Sequence, residues 1–528
     1  MRILVCFKVM PNWDKVLEQD WEDFSLDTNI SYAGMEFNCF DQSALELGLR
    51  IKDKMVVQGQ NATCTAVTVG KSLHDSIAQN LYSIGYDEVI NIENIQSEFA
   101  SDLVADTLAS YARNGQYDLI LTGSMAGMAE TGMVPILLAE KLGLPMLSNI
   151  ETASACDEGV LTTSHKKDGL WEQIVCLPVL LSVGNSPAVL RCSTLRARMA
   201  FKGHSATHLT PENNKNNTNP PQLSRPEGGR DCKMLNGEPM TQVEEVLKLL
   251  QSELNNEQST MPNDNCAFKL PNNTVHYKLL DENEFCVDET ILTLNNDWNS
   301  RKPDLTILPD TELGRLFAVK LATKVGCNCM TKSTIISATE TSVTLQKRAC
   351  ASNLICTNQV ELPAIITTSQ VMESITKVPI QVKNNKYDSW LFDKKLLQPA
   401  PEDKLKTAKL VFVCGSGMGS KDTCDKVRHV ANKLDAGFGL TRPAALNSWG
   451  STSEIIGQSG KIINPCVCIA LGTAGAGAFL LGIENSSKII AVNTDLNALI
   501  FKTADLGLQI DATNFIDMML QLLEGREI

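Results

Sequence analysis

Histidine, basic charge and long apolar runs are what this sequence has least of. Six histidines stand among 528 residues, at 74, 165, 204, 208, 276 and 429. They share no metal-ligand spacing and no triad arrangement, so each reads as a surface or satisfied residue and a hydrolase is the least supported class. Lysine and arginine total 47 against 61 acidic residues, a net charge of -14. With no basic stripe interleaved with aromatics, nucleic acid is not an expected partner, because a phosphate backbone demands a basic face. No segment has eighteen uninterrupted apolar residues, and the opening run "MRILVCFKVMP" is too short for a signal peptide. The expectation is a soluble chain, not an integral membrane protein, whose first residues form a strand. There are seventeen cysteines but no C-x-x-C pair, only the C-x-C pairs Cys327/Cys329 and Cys466/Cys468. The second pair lies in an apolar run, where strand alternation puts both thiols on one face. Buried structural cysteines, no metal centre and a reducing, cytoplasmic or equivalent compartment are expected.

What is present is a repeated strand and helix pattern. At this length three or four domains are the prior. "RILVCFKV", "ATCTAVTVG", "EVINIE" and "YDLILTG" read as strands, separated by helical segments such as "DQSALELGLRIKDK" and "SDLVADTLASYARNG". Apolar strands spaced by helices predict parallel sheets covered on both faces. Residues 208–230, rich in Asn and Pro, read as a linker, and a second boundary falls at 397–409. The predicted domains are 1–205, a linker at 206–234, then 235–395 and 396–528. The first two domains carry an echo. "DLILTGSMAGMAETGMVPILLAEKLG" begins at Asp118 and "DLTILPDTELGRLFAVKLATKVG" at Asp304, with "LPVLLSV" and "LPAIITT" following at Leu177 and Leu362. Two homologous α/β domains explain the pairing. The fold class is therefore α/β, with three doubly wound parallel-sheet domains, two of them pseudo-symmetric.

The last domain opens on "KLVFVCGSGMGS", a strand entering a glycine turn, and continues to "IALGTAGAGAFLLGI" at 469–483. The latter has neither the G-x-G-x-x-G spacing of a dinucleotide fingerprint nor the lysine of a P-loop. Its glycines either cradle a nucleotide or only turn strands tightly into helices. Two glycine clusters, two polar loops and Asn493 all fall at the predicted carboxyl edge of one sheet, where ligands bind in such folds.

"TR…GQSGK…P…IALGTAGA…G…SSKIIAVNTDLNALIFKTADLG" resembles the flavin domain of the electron transfer flavoprotein α subunit. Residues 1–200 resemble the β subunit of that family, through "ILVCFKVMP", "NCFDQSALELGLRIKD", "DLILTG…ETG" and "LPVLLSVGNSPAVLRCSTLRARM". The middle domain resembles a shortened first domain of the α subunit. The resemblance covers nearly the whole chain, β before α, and implies a pseudo-heterodimer fused into one polypeptide. It implies FAD along the C-terminal domain, with Thr441 and Arg442 beside the ring and Gly457, Gln458 and Ser459 following. Backbone contacts would come from Ala474, Gly475, Ala476, Gly477, Ala478 and Phe479, with Asn493 at the adenosine end and Asp511 close by. Arg442, which cannot lose its proton, would stabilise reduced flavin. Gly472 and Gly475 would let the main chain approach the pyrophosphate. The chain departs from the family at Ala474, Ala478 and Phe479, where serine, glutamine and histidine are usual, and in the first glycine turn, which lacks the usual arginine. Phe479 cannot donate a proton, so a flavin that holds a one-electron-reduced anion poorly, or that is bound more weakly, is expected.

In the β subunit the family holds AMP, or a second FAD in members that bifurcate electrons. The implied contacts are Cys6, the turn Asn38, Cys39, Phe40 and Asp41, then Val69. The loop Gly123, Ser124, Glu130, Thr131, Gly132, Met133 and Val134 completes the set. Thr131 and Gly132 would open a helix, where N–H groups favour phosphate. Here too the loop departs, with Ser124 in place of a lysine and Met128 in place of an aspartate. The implied function is an electron carrier with no catalytic residue of its own. It would accept electrons from a flavin dehydrogenase of the acyl-CoA dehydrogenase type and pass them to a quinone oxidoreductase or a ferredoxin-type acceptor. A segment near 187–200 would dock the partner, and a hinge at 397–409 would let the flavin domain move. The alternatives are an NADH-oxidising bifurcating flavoenzyme and a non-redox adenine-nucleotide-binding protein on the same scaffold.

Overall fold

The computed structural model describes residues 1–25, 28–94, 99–166, 168–211, 221–226, 229–255, 270–279, 287–370, 377–380, 388–399 and 403–524. They fall into two compact units. One comprises 1–225, 264–350 and 354–399; the other comprises 226–263, 351–353 and 400–528.

In the first unit, six parallel strands run in the spatial order Thr207–Leu209, Glu88–Glu93, Thr63–Gly70, Arg2–Cys6, Leu119–Gly123 and Val179–Val183. The chain's first strand thus sits between Thr63–Gly70 and Leu119–Gly123. There the winding reverses, and a crevice opens beyond the strand ends. All five residues of Leu119–Gly123 and of Val179–Val183 are buried, as expected of strands covered on both faces.

The same sheet continues through Met146–Cys156, Gly159–Lys166, Gly169–Val175 and Leu391–Pro399, the last three joints being antiparallel. An all-parallel reading of the domain is therefore corrected. Two residues separate each of the first two pairs, and a crossover helix needs a dozen or more. A second sheet, Asn328–Met330, Ala364–Thr368, Leu305–Pro309, Thr274–Leu279 and Lys377–Ile380, is parallel throughout. It carries an antiparallel annex of Gln222–Ser224, Leu354–Glu361, Ser342–Ala349 and Thr334–Ala338.

The echo has a structural counterpart. Leu119–Gly123 leads to the helix Val134–Leu142, and Leu305–Pro309 leads to the helix Glu312–Val325. Both helices end on a glycine in the left-handed region, Gly143 at φ +67° and Gly326 at φ +70°. Each repeat then runs through antiparallel strands to a buried parallel strand. Ile136, Leu137, Leu313 and Phe317 join one apolar core spanning both parallel sheets, and Lys320 pairs with Glu140 between the two helices.

The second unit is built on a parallel sheet ordered Lys233–Met234, Leu506–Leu508, Lys488–Val492, Val467–Leu471, Leu410–Cys414 and Gly437–Leu440. Numbered from Leu410–Cys414, its five main strands lie in the order 2-1-3-4-5, with the winding reversal between Leu410–Cys414 and Val467–Leu471. The helix Pro239–Asn255 packs on Ala512–Glu524 of this unit. So residues expected to open the middle domain lie with the C-terminal sheet instead. Of the expected linker, Thr207–Leu209, Gln222–Ser224 and Lys233–Met234 are strands, while 212–220 and 227–228 lie outside the described residues. The expected hinge is a strand up to Pro399, with 400–402 outside the described residues.

The Cys466/Cys468 expectation is also corrected. Cys468 faces the apolar cluster on one side of the sheet, whereas Cys466 packs against the cluster on the other. The strand begins only at Val467, so alternation does not extend back to Cys466. Among the described residues no helix is long and apolar enough to cross a membrane, and no group of three His, Cys, Asp or Glu side chains could hold a metal ion.

Candidate functional site

Two sites stand at the two winding reversals. The first lies in the first unit, beyond the ends of Arg2–Cys6, Thr63–Gly70 and Leu119–Gly123. It is a cleft of about 750 Å³ counting its open mouth. Eight of the residues named from sequence line it: Cys6, Asp41, Val69, Gly123, Glu130, Thr131, Gly132 and Val134. Asn38, Cys39, Phe40, Ser124 and Met133 do not line it.

The turn at 38–41 acts as a brace. The Asp41 carboxylate accepts from Lys8 N at 2.8 Å and from Gly123 N at 2.9 Å, joining the ends of two parallel strands. Asn38 donates from Nδ2 to the Met125 carbonyl at 2.8 Å, holding the following loop. Gly123 has to be glycine, since a Cβ there would stand 2.1 Å from Asp41 Oδ1. Burial pushes the Asp41 carboxyl up to about 7, against the opposing pull of those N–H donors. Burial likewise pushes the Cys6 thiol well above its ordinary range, so it faces the cleft protonated.

The helix opens at Val134 with Met133 as its cap, two residues later than the expected Thr131 and Gly132. Thr131 Oγ1 accepts from Met133 N at 3.3 Å and meets Ser101 Oγ at 3.0 Å. Gly132 sits at φ +63° and Glu130 at φ +54°. Thr122 Oγ1, in the cleft wall, is buried with no hydrogen-bond partner among the described residues, a polar group that a ligand would satisfy. Sequence reading missed Lys8, Ser101, Val104 and Thr122. Lys8 and Thr122 were legible as residues at strand ends. Ser101 and Val104 come from a helix whose approach only the tertiary fold determines.

The second site lies in the second unit, between Leu410–Cys414 and Val467–Leu471. The glycine turns that follow these strands pack backbone to backbone. Gly417 N donates to the Gly472 carbonyl at 3.0 Å and Gly415 N to Leu471 O at 2.8 Å. Gly472, at φ +58°, already donates its N–H to Val492 O, and a Cβ on it would stand 2.8 Å from the Gly417 carbonyl carbon. A Cβ on Gly475 would stand 2.1 Å from Ile500 N. These glycines therefore serve the close approach of one backbone segment to another.

Three of the expected flavin segments converge. Thr441 N donates to Cys414 O at 2.9 Å, and Arg442 opens a short helix there. Ile456 N donates to Leu440 O at 2.9 Å, bringing in Gly457, Gln458 and Ser459. Gln458 N then donates to Ala478 O at 2.7 Å, joining the stretch Ala474 to Phe479, with Ala476 and Gly477 at the start of its helix. Asn493 binds Thr473 O through Nδ2 at 2.8 Å. Asp511 is spent as a helix cap, accepting from Thr513 N and Asn514 N at 3.0 Å. Phe479 is 7% exposed and belongs to an apolar cluster with Ile456, Ile463 and Ile483. Gln458 Nε2 and Thr473 Oγ1 are buried with no partner among the described residues, and they flank the converging loops. Unspent polar groups beside tight glycine turns at a sheet's winding reversal fit a dinucleotide.

Two sheets whose parallel strands reverse their winding, one beside a cleft and the other beside converging glycine turns, define an α/β protein of the nucleotide-binding kind. Residues 29–202 match the electron transfer flavoprotein domain, and residues 404–484 match the electron transfer flavoprotein FAD-binding domain. The chain thus matches two electron transfer flavoprotein domains, one towards each end of a single polypeptide. It is similar to the protein FixB of Bradyrhizobium diazoefficiens, 28% identical over 244 residues, 43% of this chain and 66% of that protein. It is similar to the electron transfer flavoprotein subunit alpha of Paracoccus denitrificans, 36% identical over 120 residues, 23% of this chain and 38% of that one. It is also similar to the lactate dehydrogenase (NAD(+),ferredoxin) subunit LctC of Acetobacterium woodii, 34% identical over 123 residues, 23% of this chain and 29% of that one. Each match spans less than two thirds of the relative's own length.

Proposed function

We propose that this chain is an FAD-bound electron carrier that takes electrons from a flavin dehydrogenase and passes them to another redox protein. The observation that carries the reading is the meeting of the 441–442, 457–459 and 474–479 segments at the winding reversal of a domain that matches the family's FAD-binding domain. In this reading 1–205 is the β-like domain, the part of 235–395 that lies in the first unit is the shortened first α-like domain, and 396–528, with the helix Pro239–Asn255 packed on it, is the flavin domain. FAD supplies the electron chemistry when bound. Arg442 holds a fixed positive charge beside it, and Ser459 offers a hydroxyl that donates or accepts. Phe479 excludes water but offers no proton. The cleft of the first unit takes an adenine nucleotide, either AMP or a second FAD.

A bifurcating role is the second reading, favoured by the similarity to a subunit of an NAD- and ferredoxin-linked lactate dehydrogenase. The partners proposed are redox proteins, met in a reducing compartment. The test is to purify the full chain, record its visible spectrum and count the nucleotides released on denaturation. One FAD with one AMP supports the carrier, and two FAD support bifurcation. A colourless protein that takes up no FAD overturns both. Photoreduction of the loaded chain is expected to pass from yellow to colourless with little red colour between, because Phe479 provides no donor; a strong red stage would contradict that role.

A further inference from the structure

The cleft of the first unit has a charge problem if its ligand carries phosphate. Its ionisable lining consists of one amine, Lys8, and two carboxyl groups, Asp41 and Glu130, beside a protonated thiol at Cys6. Position 124, where the family resemblance implies a lysine, is serine. An anion would therefore meet a wall that is neutral or negative.

Two lysines from the middle sheets stand behind that wall. Lys347, on Ser342–Ala349, is 8% exposed and donates from Nζ to the Ala129 carbonyl at 2.8 Å. Lys332, just past Asn328–Met330, places Nζ 3.4 Å from Met125 Sδ, a weak acceptor. Met125 and Ala129 both line the cleft, so each ammonium lies one residue behind it. Lys347 faces Glu130, Lys332 and Cys356 across its sheet. Lys332 faces Glu130 and the ion pair of Arg315 with Asp310 at 3.0 Å. Counting both lysines turns the local balance positive.

We propose that Lys332 and Lys347 are the cations that make this cleft prefer a phosphate-bearing adenine nucleotide over the uncharged nucleoside, returning from another sheet the charge that Ser124 lacks. The inference rests on the nucleotide reading of the cleft. Burial lowers the Lys347 ammonium to about 8, and a phosphate in front of it would hold it protonated. The loop is tied down independently of the two lysines, because Thr331 Oγ1 donates to the Thr131 carbonyl at 2.6 Å and Cys350 N to the Met128 carbonyl at 2.9 Å. Removing one lysine therefore removes charge while the loop stays anchored.

The test is calorimetric titration of the full chain with AMP and with adenosine, on the native protein and on Lys332→Met and Lys347→Met, with melting curves to verify folding. AMP affinity should fall on the order of tenfold in each variant, while adenosine affinity moves less than about threefold. Unchanged AMP affinity overturns the proposal. So does an equal loss for adenosine, which would mean a purely structural role. If Lys347→Met does not fold, the half-buried Lys332 carries the test alone. If the native chain binds neither AMP nor adenosine, the nucleotide reading fails, and inorganic pyrophosphate decides the charge question. Binding that weakens in the variants would support the two lysines as an anion site, and no binding would overturn it.

Discussion

At the scale of single residues, Asp41 shows how a motif position and its role can part. The turn "NCFD" was legible as a site element, and its aspartate does reach the cleft. Yet both carboxylate oxygens are taken by the Lys8 and Gly123 N–H groups, so Asp41 positions strand ends. Its carboxyl rises from an ordinary 3.8 to about 7. The native state therefore holds this proton more tightly than the unfolded chain does. The associated stability is fully present below about pH 4 and is lost as pH rises through about 7. Asp41→Asn should flatten that slope in urea midpoints measured from pH 4 to 8. At pH 8 it should also cost about 1–3 kcal/mol, because an amide leaves one of the two buried N–H donors without an acceptor. A variant with the native slope would show that Asp41 does not titrate in this range. Phe479 carries the complementary lesson. The sequence marks it as a departure from the family, but only packing reveals that its ring is buried in an apolar cluster.

At the scale of elements, the paired glycine turns at 415–419 and 472–475 are the unit to test. Period and composition located both turns, because a buried strand followed by clustered glycine announces an abrupt exit. Their mutual packing was illegible, since it joins residues more than fifty positions apart. Gly472→Ala would force a side chain into φ +58° and against the Gly417 backbone at 2.8 Å. The turns would have to separate, at a cost of about 1–3 kcal/mol for the backbone conformation alone. The expected outcome is a lower melting temperature and a purified chain with FAD well below one per polypeptide. Native stoichiometry in that variant would mean that the turns do not shape the flavin site. The antiparallel strands 159–166 and 169–175 went unread for a different reason. Apolar runs announce strands, but only the length of the joining segment decides whether a neighbour runs parallel.

At the scale of the whole molecule, two compact units with separate cores should unfold in two calorimetric transitions. FAD should raise only the transition of the unit holding 400–528, and AMP only that of the unit holding 1–225. At a hundredfold excess over the dissociation constant, each stabilises its own unit by about 2.7 kcal/mol. A single transition shifted by both ligands would refute that independence. The domain order and the internal echo were readable because strand, helix and closing glycine repeat in sequence. Two assignments were not. The strand Leu391–Pro399 returns to the first sheet, and Pro239–Asn255 packs with the C-terminal unit.

The sequence by itself determined the α/β class, the strand and helix alternation, the resemblance to one family and most of the cleft-lining loop. All of these are written in local period, turn chemistry and motif order. Only the tertiary structure decided which strand pairs with which, that the motif aspartate is a brace, and that Lys332 and Lys347 stand behind a loop some two hundred residues earlier. Pairing and charge placement depend on which apolar faces cover one another, and that is a property of the assembled core that no local window contains.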